Sequence, residues 1–305
     1  MSVRPIVVGV DGSEESLRAV EWAAREAERR RSPLRIVSAL AMPSRTSPHD
    51  CPAMTANVLR GFAGRALGGA ASRAEKIAPR LRVDADLLSG PPMLAVPEAG
   101  SGAAMLVVGA RGTGGLGAAG LGSVCRHAVI DAPCPVVVVR DEPTAAGLPV
   151  VVGIRDPENA SQALAFAFEE AALRHTELVA VHTCMPLAPL TGSGPDSSAV
   201  TGDPEEVCVQ AASQLGQALD RWQQKYPGVR IRQDVISGYP VRVLCSYCAR
   251  ADLVVLGRHD NPGAAVRTIG CIHYDVLNHG RGPIAIIPSA TDARDVTDGW
   301  RRPWR

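Results

Sequence analysis

Short runs of Val, Ile and Leu, bounded by Gly or Asp, recur along the chain with room for a helix between most of them. Apolar runs without polar alternation are the pattern of strands buried on both faces. They predict strands near 5–10, 34–40, 82–88, 105–109 and 135–140, and again near 150–155, 177–183, 229–235, 252–257 and 283–287. Helices are predicted from Ser13 to about residue 30, and near 54–78, 91–100 and 123–131. Ser13 is a helix-capping residue type, and Glu14 and Glu15 suit the positive end of the helix that follows. Strands alternating with helices imply an α/β fold: a parallel sheet, right-handed crossovers and helices on both faces.

The pattern is also duplicated. Ile6-Val7-Val8-Gly9-Val10 resembles Val150-Val151-Val152-Gly153-Ile154, 144 positions on. Ser89-Gly90-Pro91-Pro92, Leu106-Val107-Val108-Gly109 and Pro135-Val136-Val137-Val138 each find a counterpart 148 positions on, at Ser237-Gly238-Tyr239-Pro240, Val254-Val255-Leu256-Gly257 and Pro283-Ile284-Ala285-Ile286. A net four-residue insertion after the second strand accounts for the change. The expected division is two copies of one domain, at 1–144 and 145–290, joined near 141–149 and followed by a tail, 291–305. Residues 41–53 and 184–204, rich in Pro, Ser and Thr, are long loops at equivalent places and read as tolerated insertions rather than lids.

Composition narrows the class. The 305 residues are 46% apolar and 21% charged, as in ordinary globular proteins. The 32 basic and 31 acidic residues leave a net charge of +1, which argues against a nucleic-acid binder or a polybasic membrane binder. Only Lys76 and Lys225 are lysines, and the richness in Arg, Ala and Gly reads as genomic bias rather than function. Eight cysteines are too sparse for a small disulfide scaffold. No signal-like or membrane-length apolar stretch is present, so a cytoplasmic protein with reduced thiols is expected.

In open parallel sheets, ligands bind beyond the C-terminal strand ends, where strand order reverses. The first strand ends in Val10-Asp11-Gly12-Ser13, and the fourth runs into Gly109-Ala110-Arg111-Gly112-Thr113-Gly114-Gly115-Leu116-Gly117. Such a loop can present backbone N–H groups to an anion, helped by the helix that starts at Gly122-Ser123. Arg111 would add charge and Ser123 a hydroxyl, while Asp11 suits ribose hydroxyls because a carboxylate only accepts. A glycine-rich loop is equally often a plain connection, so the glycines alone leave both readings open. Gly112–Gly117 formally matches G-x-G-x-x-G, but no helix opens inside it and Asp131 is too near to serve as the ribose acid. No P-loop signature occurs.

The spacing Gly109-x2-Gly112-x9-Gly122-Ser123 resembles the G-x2-G-x9-G-[ST] ATP motif of the universal stress protein family, and Ile6 to Ser13 resembles that family's first strand and loop. The resemblance covers both repeats and implies a tandem protein built of five-stranded Rossmann-like sheets, similar to the adenine nucleotide alpha hydrolases in fold. It implies ATP, with or without Mg2+, as ligand and a regulatory stress-response role. Gly9, Val10 and Asp11 would lie against the nucleoside and Ala39 would border the adenine. Gly109, Arg111, Gly112, Gly122, Ser123 and Val124 would hold the phosphates, with Gly114 in the same loop. The last strands, Val136–Val139 and Ile284–Ile287, would pair antiparallel as a pseudo-dimer. A homodimer and an unidentified regulatory protein partner stay open, as do a slow ATPase using Arg111 and a scaffold that uses no nucleotide.

The second copy keeps the spacing and loses the chemistry. Gly257-x2-Asp260-x9-Gly270-Cys271 has Asp and Cys where the motif takes Gly and Ser or Thr, and Arg155 falls at the place of Asp11. An Arg155–Asp260 ion pair closing this cleft is one reading; two independent surface residues is the other. One ATP per chain, in the first copy, follows. Cys245-x-x-Cys248 reads as two buried helical thiols, since zinc needs a second ligand pair. His259 and His273 read as solvated loop histidines, and the Trp300 and Trp304 tail as a partner anchor or a segment folded on its own domain. No catalytic or metal-ligating set stands out.

Overall fold

A computed structural model describes residues 3–41, 52–113, 120–140, 147–184, 204–258 and 268–289. The first half runs β1 (Ile6–Gly9), α1 (Glu14–Arg30), β2 (Leu34–Leu40), α2 (Pro52–Ile77), β3 (Val83–Ser89), α3 (Pro92–Ala99), β4 (Met105–Gly109), α4 (Ser123–Asp131) and β5 (Val136–Val139). The second repeats it with β6 (Val150–Ile154), α5 (Ser161–Arg174), β7 (Leu178–Cys184), α6 (Pro204–Lys225), β8 (Ile231–Ser237), α7 (Pro240–Cys248), β9 (Leu253–Gly257), α8 (Cys271–His279) and β10 (Ile284–Ile287).

These strands form one ten-stranded sheet in the order β3-β2-β1-β4-β5-β10-β9-β6-β7-β8. Within each half the pairing is parallel. The halves meet at an antiparallel seam, with Ile284 opposite Val138 and Ile286 opposite Val136. The antiparallel pairing expected of Val136–Val139 and Ile284–Ile287 is therefore present within one chain. Because successive side chains on a strand point to opposite faces, Ile6 and Val8 pack under α1 and α2 while Val7 packs on the α3 and α4 side. The α5 and α6 helices extend the first core, and α7 and α8 the second.

Burial on both faces holds for the six central strands and fails at β3 and β8. Those two are the sheet edges, with a single neighbour each. Asp84 on β3 is exposed and Asp86 half-buried, and Arg35 reaches Asp86 at 2.7 Å, a charged edge that discourages further strand addition.

Helix starts differ between the halves. Ser13 caps α1, its hydroxyl accepting from the Ser16 N–H at 3.2 Å. The repeat would start α5 near Glu158, but a turn at 157–159 takes the place of its first turn, and its N-cap, Ala160, has no capping side chain. Asp156 holds that turn, accepting from Glu158 N–H at 3.1 Å and Asn159 Nδ2 at 2.6 Å.

The far ends of α1 and α5 are joined by a buried ionic cluster. Glu26 accepts from Arg30 at 2.7 Å and from Arg174 at 2.8 Å, and Glu170 is bonded to the same two arginines. Arg30 lies over Phe166 and Arg174 over Trp22, so each guanidinium stacks on a ring of the opposite half.

Candidate functional site

Strand order reverses between β1 and β4 in the first half and between β6 and β9 in the second. Crevices at those points are the geometric candidates for ligand sites. The halves run antiparallel at the seam, so the two crevices open at opposite edges of the sheet.

The first crevice gathers most of the predicted residues. Gly9 ends β1 opposite Val37, and Val10 continues the strand by donating to the Val37 carbonyl at 2.8 Å. Ala39 lies two residues further along β2, half-buried beside β3. Gly109 ends β4, and a Cβ there would stand 3.1 Å from the Glu15 carbonyl carbon, so bare backbone is what lets α1 pack so closely. The chain then leaves and returns: Gly122 N–H donates to the Ala110 carbonyl at 2.9 Å and caps α4, which places Ser123 and Val124 at that helix's first turn beside the loop root. Arg111 is exposed at the mouth. Gly114 lies outside the described residues.

Asp11 is tied into the loop opposite it. Its carboxylate accepts from Ser13 N–H at 3.0 Å, the Ser13 hydroxyl at 2.6 Å, Thr113 N–H at 2.6 Å and the Thr113 hydroxyl at 3.2 Å. Burial works against its charge, but the bonds from Ser13, Thr113 and Ser16 outweigh it and hold the carboxyl below its ordinary range. A Cβ on Gly112 would meet Asp11 Oδ2, so a side chain there would push the Asp11 carboxylate from its place. Glu15, absent from the sequence-derived set, accepts from Arg111 N–H at 2.7 Å.

The second crevice holds a cavity of about 530 Å3. Of the residues singled out there, Arg155, Gly257, Gly270 and Cys271 line it. Asp260 lies outside the described residues, and with it the Arg155–Asp260 ion pair; so do His259, most of both long loops, and the tail with Trp300 and Trp304. Sequence comparison missed Asp156 and Asn159, which also line the cavity. Carrying the 144 offset past the strand matched Asp11 to Arg155, whereas the carboxylate moved one position on; the turn-forming string Asp156-Pro157-Glu158-Asn159 was the signal. His273 is not a loop histidine: it sits in α8, half-buried, with Nε2 2.8 Å from the Gly257 carbonyl. Arg258 also lines the cavity and donates across the seam to Val129 and Ala132 carbonyls at 3.1 and 3.3 Å, at the end of α4.

Cys245 and Cys248 both sit on α7, Cys248 buried and Cys245 half-buried. Burial, with Cys245 beside it, pushes the Cys248 thiol up to about 12. A thiol so protonated is a poor nucleophile and a poor metal ligand. Among the described residues no group of three His, Cys, Asp or Glu could hold a metal ion, and no helix is long and apolar enough to cross a membrane.

The geometry has counterparts in known proteins. The model of the universal stress protein family matches this chain twice, over residues 2–140 and 148–288. The universal stress protein Rv2005c of Mycobacterium tuberculosis is 33% identical over 289 residues, spanning 92% of this chain and 96% of its own length. Rv2623 of the same organism is 33% identical over 300 residues, spanning 92% and 95%. In fold the chain is similar to a universal stress protein of Archaeoglobus fulgidus, with a TM-score of 0.69 at 16% identity over 95% of this chain and 98% of that one. Two family matches in one chain, on two halves that share a strand and helix order, lead to one conclusion: the chain belongs to the universal stress protein family and carries its domain in tandem.

Proposed function

We propose that this protein binds ATP in the crevice of its first half and uses occupancy of that site as a regulatory signal in the cytoplasm. One observation carries the reading: Asp11, the Gly109–Thr113 segment and the Gly122–Ser123 helix start meet where strand order reverses. The cradle fits a phosphate chain. Two of its glycines, Gly109 and Gly112, lie where a Cβ would crowd neighbouring groups, so bare backbone lets a ligand come close there. In this reading Asp11 accepts from ribose hydroxyls, the loop and the α4 N-terminus bind phosphate oxygens, and Arg111 adds charge at the mouth. Gly9, Val10 and Ala39 wall the nucleoside. Val124 follows Ser123 in the first turn of α4, and Gly114 belongs to the same glycine-rich segment of the sequence. Residues 1–144 and 145–290 act as two units with 291–305 as a tail, and a regulatory protein partner reads the loops around the crevice. A homodimer of the chain would use surfaces other than the seam.

Mass spectrometry of nucleotide released from denatured protein tests this reading. One ATP per chain is expected from the native protein and none from Gly112→Asp, whose side chain would meet Asp11 both sterically and as a like charge. A native protein that releases no nucleotide would overturn it.

A second reading is favoured by the 530 Å3 cavity of the other half. There Arg155 and Asp156 both line the cavity and Cys271 stands where the first half has a hydroxyl, so a ligand would be held by different groups. Two nucleotides per chain, one surviving Gly112→Asp, would support it over the single-site reading.

A further inference from the structure

In the first crevice the loop's own N–H groups already have anionic partners. Arg111 N–H donates to Glu15 Oε2 at 2.7 Å, and Thr113 N–H donates to Asp11 Oδ2 at 2.6 Å. These are the backbone donors that an incoming phosphate would use, and a carboxylate oxygen satisfies them in the same way. Asp11 has a place in the nucleotide reading; Glu15 has none. Its reach is set by Gly109, because the first turn of α1 lies against that residue's bare backbone.

The other half supplies the contrast. Asn159 stands at the place of Glu15, is neutral, and turns its amide to Asp156 at 2.6 Å. The first turn of α5 is replaced by a bend there, and Asn159 lines an open cavity. A carboxylate from the first helix thus bonds the loop in one half, while its neutral counterpart bonds Asp156 in the other.

We propose that Glu15 is a built-in competitor for phosphate that lowers the first crevice's affinity for nucleotides in proportion to their phosphate charge. The inference rests on the nucleotide reading above. A phosphoryl group that takes the Arg111 N–H must displace the Glu15 carboxylate and then stand beside its charge. A ligand without phosphates meets neither cost. Glu15 is a positioning and affinity-setting residue.

The test titrates ATP and adenosine by calorimetry into the full chain, its Glu15→Gln variant and its Glu15→Ala variant, and follows amide hydrogen exchange at Arg111. ATP should bind both variants on the order of tenfold tighter, adenosine should bind all three proteins alike, and the Arg111 amide should exchange faster in Glu15→Ala. A purely structural role for Glu15 would shift ATP and adenosine together. ATP affinity unchanged or weaker in both variants overturns the inference, as does Arg111 exchange that Glu15→Ala leaves unaltered. If no protein binds either ligand, the nucleotide reading has failed too; binding of both ligands with no difference among the three removes the role of Glu15 alone.

Discussion

Asp11 shows how one side chain ties a sequence motif to a fold. Its carboxylate joins the β1 loop to the β4 loop, and the bonds it accepts hold its pKa below the ordinary carboxylate value. A depressed folded-state pKa contributes stability that is present above the unfolded value, about 3.9, and is lost as pH falls through the lower folded value. The melting-temperature gap between the native protein and Asp11→Asn should therefore be widest at neutral pH and shrink as pH is lowered towards 3. A gap that stays constant across that range would contradict this. Thiols give a second prediction at this scale. Cys125, Cys134 and Cys248 are buried, and burial pushes each up to about 12, whereas Cys271 is exposed at the start of α8. Iodoacetamide on the folded protein at neutral pH should alkylate Cys271 and spare those three until denaturant is added. Labelling of Cys248 at the rate of Cys271 would refute the buried-thiol reading.

At the scale of elements, the α1 and α5 ends carry the strongest electrostatic commitment. Glu26 has no exposed surface and Arg174 only 3%, so each charge depends on its partners. Removing one member strands the others in a medium that solvates them poorly. Glu26→Ala should cost roughly 3–5 kcal/mol in urea unfolding, the range for breaking a buried ion pair. A loss below about 1 kcal/mol, the level of an exposed pair, would mean that water reaches the cluster. Elements were also the most legible level in the sequence. The central strands are unbroken apolar runs between turn residues, and the observed β4 and β9 match the predicted spans closely. Their edge counterparts, β3 and β8, read as strands, but their exposure depends on sheet order, which local pattern does not encode. The late start of α5 has a similar cause. A fixed offset carries strand to strand, while a Pro-containing turn held by Asp156 resets where the next helix begins. The motif residues of the first crevice were legible because their spacing is a property of the chain. Glu15 was not, because its contact with Arg111 exists only once α1 packs on Gly109.

For the whole molecule, duplication and fusion have a visible structural consequence. The β5–β10 seam buries two apolar strands, Val136–Val139 and Ile284–Ile287, that would be open edges in separate halves. An exposed, flat, apolar edge strand is a template for association. A fragment of residues 1–144 should therefore sediment as a dimer or larger species, and a monomeric fragment at tens of micromolar would count against the seam as the main bond between halves. The tandem arrangement also lets two crevices diverge under one fold. The first keeps the glycine spacing and is latched by its own carboxylates; the second has an open cavity with Arg155 and Cys271 at the altered positions. Arg258 links them physically, lining the second crevice while bonding the end of the helix whose start lies in the first. The central claim is that the first crevice takes ATP. It is tested most directly by quantifying nucleotide released from denatured native protein and from Gly112→Asp. One ATP per native chain and none from the variant is the predicted result; no nucleotide from either, or equal amounts from both, would contradict it.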